Sequence, residues 1–256
     1  MAKSLRRSTY PGKLIIVEGI DGSGKSTQLD LLRKWLMSQN YLVAFSEWNS
    51  SPMVNRITKR GKKTKALSPV SFSLIHAADF VDRLERQILP ALEAGAIVLA
   101  DRYVFTAFAR DVARGVDPTW VRDEYSMAVQ PTLAMYFRVP LEESLNRILV
   151  GRPELKYYEA GLDLGWSSDP YESFRLFQGR ILQEYDKIVE EYGLAVVDAT
   201  QPLVKQQEQV RELVTPLLEG ALKVNLRAWR EALTKESLLG RYLEEIGVDG
   251  GRQDRT

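Results

Sequence analysis

Cysteine is absent from the 256 residues. Its absence removes disulfides, thiolate metal sites, zinc fingers and cysteine nucleophiles together. Histidine occurs once, at His76, which excludes a multi-histidine metal site as well. Charge is nearly balanced, with 35 Lys and Arg against 34 Asp and Glu for a net of +1. A protein that coats DNA or an acidic membrane normally carries a strong basic excess, and none is present. Long apolar runs are missing too. No window approaches the roughly 18 uninterrupted apolar residues of a membrane helix. The apolar run at residues 14–17 ends at Glu18, too short for the core of a signal peptide. These absences predict a cytoplasmic protein without a membrane or nucleic-acid partner.

What is present suits a folded globule, with 45% apolar and 27% charged residues. Aliphatic runs at 14–17, 41–45, 97–100, 133–139 and 194–197 read as strands covered on both faces. Helical periodicity occupies 29–37, 70–92 and 171–192 between them. This alternation predicts an α/β fold with a doubly wound parallel sheet. Residues 151–170 are the one long stretch rich in Gly, Pro and Ser, and are expected to form a lid. A last helical pattern runs from about residue 216 to 246, ahead of a tail from Gly250. The expected organisation is an N-terminal extension over 1–11, one domain over 12–219, and a C-terminal helical extension with its tail over 220–256.

The most specific signal is Gly19-Ile20-Asp21-Gly22-Ser23-Gly24-Lys25-Ser26, followed by Thr27. It matches G-x-x-x-x-G-K-[ST], a loop whose backbone N–H groups turn inward around phosphate oxygens while glycines keep side chains out of the way. The helix that follows points its positive end at the same anion. Lys25 would reach the β- and γ-phosphates of a nucleotide, and Ser26 would sit on Mg²⁺. A chance match in a turn is the bland alternative, arising roughly once in a hundred chains of this length. The strand before the loop and the helix after it argue against that alternative. A second signal is Asp101-Arg102-Tyr103, directly after the apolar run 96–100. Ligands gather at the carboxyl ends of strands in an open parallel sheet, so Asp101 suits a magnesium partner and Arg102 a second phosphate. An ordinary ion pair at a strand end is the alternative there.

With Leu89-Pro90-Ala91-Leu92, Gly95, Thr106, Ala109, Arg114-Gly115, Phe177-Gln178, Arg180-Ile181, Tyr185 and Val197-Asp198-Ala199-Thr200, these motifs resemble the thymidylate kinase family in order and approximate spacing. The resemblance covers roughly residues 12–219. It implies a P-loop kinase fold with a five-stranded parallel sheet flanked by helices, a mobile lid and frequent homodimerisation. The implied activity is ATP-dependent phosphorylation of a nucleoside monophosphate, dTMP foremost. By position, the resemblance gives Lys25 and Ser26 to ATP and magnesium, with Gly19, Asp21, Gly22, Ser23, Gly24 and Thr27 in the ATP-binding loop. It gives Asp101 to the metal, Arg102 to the acceptor phosphate and Asp21 also to the acceptor sugar. Members without an arginine in the loop use one in the lid, and here Arg152 is the candidate, with Lys156 beside it.

The acceptor pocket departs from that pattern. His76 stands where a base-stacking phenylalanine is common, and Phe80 where an arginine usually reaches the base. His76, Phe80 and Arg83 share one helical face and could line a pocket, with core packing of Phe80 the alternative. Asp111 replaces a family amide; facing a base, a carboxylate would favour a donor-rich edge, whereas a pair with Arg110 or Arg114 would leave it structural. Residues 46–51 lack the arginine that many members place after the second strand. The basic run Arg56, Lys59, Arg60, Lys62, Lys63 and Lys65 could draw in a phosphorylated substrate or form a solvated face. The rival functions are a kinase of the same fold for another nucleotide or phosphorylated small molecule, and a nucleotide-binding switch without turnover.

Overall fold

The computed structural model describes residues 5–224. Five strands, β1 (Lys13–Glu18), β2 (Val43–Glu47), β3 (Ile97–Asp101), β4 (Leu133–Arg138) and β5 (Ala195–Asp198), form one sheet in the order β2-β3-β1-β4-β5. Every pairing is parallel. β3 is buried along its whole length and β1 nearly so, which is why both read as unbroken aliphatic runs. Two strand expectations shift in register: 41–45 becomes Val43–Glu47 and 194–197 becomes Ala195–Asp198. Tyr41 instead forms an isolated bridge with Lys223.

The helices are α1 (Lys25–Ser38), α2 (Pro52–Thr64), α3 (Pro69–Arg83), α4 (Leu89–Glu93), α5 (Val104–Ala113), α6 (Pro118–Glu124), α7 (Leu141–Gly151), α8 (Pro170–Tyr192) and α9 (Leu203–Val214). The apolar pattern at 70–92 is α3 and α4 joined by a π-helical turn, Leu84–Ile88. The basic run is helical, forming most of α2. The helical pattern expected from residue 216 is a short 3-10 turn, Thr215–Leu218, after which Gly220 turns the chain with φ 69. Its continuation to residue 246 lies outside the described residues.

One hydrophobic core spans both faces of the sheet, with Leu29, Leu32 and Leu36 of α1 on it and Phe177, Ile181 and Tyr185 of α8. A smaller cluster of Leu145, Ile148, Ala160 and Phe174 fastens α7, α8 and the 152–169 segment together. Leu5 joins the main core, and Arg6 pairs with residues 128–130 through backbone bonds. The strand order reverses around β1, whose carboxyl end lies beside those of β3 and β4. A doubly wound sheet opens its ligand crevice at such a point.

Candidate active site

The loop from Gly19 to Gly24 leaves β1 and delivers Lys25 to the first turn of α1. It is pressed against its neighbours. A Cβ on Gly22, whose φ is +79, would lie 2.6 Å from the Ser144 carbonyl oxygen of α7. One on Gly19 would lie 2.9 Å from that of Phe137 in β4, so only glycine fits at either position. Ser144 Oγ donates to the Asp21 carbonyl at 2.6 Å and ties α7 to the loop. Lys25 is buried, with Nζ 3.4 Å from the Ile20 carbonyl. Burial and then the nearby Arg102 lower its pKa to about 8, against the pull of Asp21, Asp101 and Glu18. Ser26 Oγ donates to Asp101 Oδ2 at 2.5 Å, while Asp101 Oδ1 is buried without a hydrogen-bond partner. Ser23 Oγ is buried and unpartnered too, and Thr27 is exposed on α1.

Arg102 turns the chain off β3 in a left-handed conformation, φ 70. Glu18, wholly buried, braces that turn from β1. It accepts from Tyr103 N at 2.8 Å, Thr106 N at 3.2 Å, Thr106 Oγ1 at 2.6 Å and Tyr185 Oη at 2.8 Å. Arg102 then reaches back over the loop, bonding the Gly19 carbonyl at 3.2 Å and one oxygen of Asp21. Arg110 of α5 takes the other oxygen of Asp21 at 3.3 Å. Burial alone would raise the Asp21 carboxyl, but Arg110, Arg102 and Lys25 hold it well below the usual carboxylate range. Two guanidinium groups share one carboxylate. The surplus positive charge is suited to a phosphate dianion.

Beyond this cluster lies a cavity of about 520 Å³, lined by Asp21, Asn49, Lys62, Lys63, Phe72, His76, Arg110 and residues 156–159. It falls within the ordinary range for a small-molecule site, roughly 300–1,000 Å³. His76 is on its wall, 4.2 Å from Phe72 and 5.5 Å from Trp48 between ring centroids. Burial, then Lys62 and three arginines, keep the imidazole neutral, its pKa well below the ordinary value. Phe80 does not line the cavity. It is fully buried in the core against Tyr103 and Tyr125. Arg83 is also fully buried, paired with Asp79 at 2.9 Å and donating to Ser46 Oγ at 3.0 Å. Asp79 in turn accepts from Asn49 N and Ser51 N, so Arg83 shapes the loop after β2 from beneath. Asp111 accepts from Ser73 Oγ at 2.8 Å, away from the cavity wall.

The 152–169 segment, expected to be a lid, contributes residues 156–159 to the wall of this cavity. Arg114 donates to the Tyr158 carbonyl at 2.6 Å, pairs with Asp163 at 3.1 Å, and sits 4.7 Å from the Phe72 ring and 4.3 Å from that of Phe177. Arg152 pairs with Glu159 beside a second cavity of about 360 Å³, shared with Asp21, Gly22, Arg147 and Lys156. The sequence reading missed Arg147. It leaves α7 to donate to the Ala199 carbonyl at 2.8 Å, and its guanidinium is the group nearest Gly24. It also missed Phe72, one helical turn before His76, and Glu18. The period of three to four between Phe72 and His76 was a usable signal for the first; nothing local marks Glu18 as a brace.

A parallel sheet that reverses order at a central strand, with a glycine-lined loop opening a helix there, defines a P-loop nucleotide-binding protein. The facing cavity, lined by Lys62, Lys63, Arg110 and Lys156, has room for a second small molecule. Residues 17–210 match the model of the thymidylate kinase family. The chain is 44% identical over 212 residues to a probable thymidylate kinase 2 of Saccharolobus solfataricus, covering 82% of this chain and 99% of that protein. It is 29% identical to a probable thymidylate kinase of Thermococcus kodakarensis over 80% of this chain and 98% of that one. A thymidylate kinase of Desulfotalea psychrophila is 37% identical over 57% of this chain and 73% of its own length. The chain belongs to the thymidylate kinase family.

Proposed function

We propose that this protein transfers the γ-phosphoryl group of ATP to dTMP, giving dTDP and ADP. The observation that carries the reading is the arrangement around Asp21. The glycine-lined loop with Lys25 lies on one side, Arg102 bridges across, and the cavity of Phe72 and His76 opens on the other. In this reading ATP lies with its β- and γ-phosphates in the loop, and dTMP lies in the cavity with its phosphate toward Arg102 and Arg110. A phosphate oxygen of dTMP attacks the γ-phosphorus as the bond to the β-phosphate oxygen breaks. An acceptor phosphate dianion needs no protein base. Lys25, Arg102 and the lid cations Arg152 and Lys156 neutralise charge on the transferring group, which is most of what such catalysis requires.

The buried, unpartnered Oδ1 of Asp101 beside the Ser26 hydroxyl fits a divalent cation. Ser26 and Asp101 would hold Mg²⁺, which takes one or two protein oxygens and completes its shell with phosphate and water. When bound it supplies positive charge to the phosphates. A cytoplasmic setting and assembly as a homodimer belong to the same reading. The test is ADP release, coupled to NADH oxidation, across a panel of nucleoside monophosphates. Stimulation by dTMP above all others is expected, and indifference to every acceptor would reject the reading.

A further inference from the structure

Three consecutive carbonyls of the 152–169 segment are held by side chains from outside it. That of Tyr158 accepts from Arg114 at 2.6 Å, that of Glu159 from Gln178 Nε2 at 2.9 Å, and that of Ala160 from Ser173 Oγ at 2.7 Å. Gln178 and Ser173 are buried residues of α8. Gly161 follows, packed on Phe177 so closely that a Cβ would lie 2.6 Å from its side chain. These contacts fix the backbone at 158–160, but they do not account for the Glu159 side chain, an acid in a residue only 9% exposed. Burying a carboxylate is unfavourable unless a charged partner offsets the lost hydration. The partner is Arg152, whose Nη2 donates to Glu159 Oε1. Arg152 has no comparable packing of its own. It follows directly on α7, and Gly151, Pro153, Glu154 and Lys156 around it are exposed. Glu159 is therefore the fixed post of the pair, and Arg152 is the group it holds.

The pair stands where the two cavities meet. Asp21, Lys156 and Glu159 line both of them, and Arg152 lines the smaller one together with Gly22 of the phosphate loop. Arg152 is also close enough to Asp21 to help hold that carboxyl ionised. The other arginines of the two cavities are engaged elsewhere: Arg110 on Asp21, and Arg147 on Glu143 and the Ala199 carbonyl. A carboxylate facing phosphates repels them, so Glu159 is not itself a phosphate ligand. Its effect runs through the guanidinium. That group carries five N–H donors in a rigid fork, and Nη2 on Glu159 leaves the Nη1 and Nε donors for phosphoryl oxygens. A long side chain held in place beforehand loses no further rotamer freedom when charge develops on the transferring group. We propose that Glu159 is a positioning residue for phosphoryl transfer, which holds Arg152 at the junction of the donor and acceptor cavities. This inference rests on the kinase reading above and adds to it the residue that aims Arg152.

The experiment measures kcat and the KM values for ATP and dTMP in the wild type, Glu159→Asp, Glu159→Gln, Arg152→Ala, the two double variants and Glu154→Gln. Asp keeps the charge but is one methylene shorter, on a backbone that Gln178 holds in place. Gln keeps the length and one oxygen acceptor. Glu159→Asp is expected to lower kcat about tenfold or more with both KM values within about threefold, while Glu159→Gln keeps at least about a third of the wild-type kcat. In the Arg152→Ala background either substitution should change kcat by less than about twofold, because the effect passes through that side chain. Glu154→Gln removes an acid from the exposed part of the same segment and should leave all constants unchanged. A loss with Gln as large as that with Asp would show that charge rather than reach matters, and would overturn the inference. So would wild-type kcat in Glu159→Asp, or the same loss when Arg152 is already alanine. If the wild type phosphorylates no nucleoside monophosphate, the kinase reading itself falls; if it phosphorylates dTMP and the double variants show no coupling, only the role of Glu159 does.

Discussion

Asp111 shows how one buried carboxyl couples stability to pH. Its Oδ2 accepts from Ser73 Oγ at 2.8 Å, and the same hydroxyl lies 3.1 Å from Glu124 Oε2. One hydroxyl proton cannot serve both acids. Burial raises Asp111 from 3.8 to about 6, with Ser73, Arg114 and Arg110 pulling the other way. The folded protein therefore holds a proton that the unfolded chain releases near pH 4. Between about pH 4 and 6 the folded state binds more protons, so this group's contribution to stability falls as pH rises through that window. Asn cannot ionise. Asp111→Asn should gain stability relative to the wild type across this window, by up to about 3 kcal/mol at pH 7. Urea unfolding at pH 4 to 7 measures it, and a difference that does not change with pH would show that Asp111 is not held protonated. The phosphate loop lies at the other extreme of legibility. Its chemistry is written in eight consecutive residues, because a backbone cradle needs small residues at fixed local spacing. Phe80 and Lys62 were misjudged or left open because a side chain's destination depends on how its helix is rotated against others.

At the scale of elements, the 152–169 segment is the proposed lid, and in the kinase reading its position would decide catalysis. Arg114, directly after α5, pins Tyr158 and Asp163, Tyr158 Oη accepts from Leu67 N at 3.3 Å, and Lys65 lies 4.4 Å from the Tyr157 ring. The 152–169 segment thus rests on the end of α5 and on the α2–α3 connection, beside the 520 Å³ cavity. Arg152, at its start, is engaged by Glu159 and borders the cavity that reaches the phosphate loop. If Arg152 meets the transferring phosphoryl group only as charge develops, Arg152→Ala should lower kcat about a hundredfold while changing the KM for ATP little. Comparable losses in kcat and in ATP affinity, seen in steady-state kinetics, would mean that Arg152 binds the ground state equally well. The breaker-rich composition of 151–170 marks the irregular stretch between α7 and α8, because a long stretch without periodicity rarely belongs to a compact core. Its docking partners were not legible, since Arg114 and Leu67 are remote in sequence.

For the whole molecule, the proposed reading would put both substrates at the carboxyl edge of one sheet, touching its two halves. ATP would bridge β1, α1 and α7, and the acceptor would bridge α2, α3, α5 and the lid. Ligands that bind only the folded state stabilise it by mass action, about 2.7 kcal/mol at a hundred times Kd. For a chain of this size that corresponds to roughly 5–10 °C in Tm. A non-hydrolysable ATP analogue with dTMP should therefore raise the melting temperature by at least this much, and by more than either alone. Thermal denaturation with each ligand and with both checks it. Equal shifts with and without dTMP would place the acceptor elsewhere.

The sequence by itself determined the α/β class, the glycine-lined loop between β1 and α1, Asp101 and Arg102 at the end of β3, and the irregular stretch between α7 and α8. All of these depend on local periodicity or on residue types a few positions apart. Only the tertiary structure decided which side chains line the cavity beside the loop. It put Phe80 and Arg83 under the surface, bound Asp111 to Ser73, and brought Lys62 over Phe72 and His76. Those outcomes follow from the packing of α2, α3 and α5 on one another, contacts between residues that no single window of the chain contains.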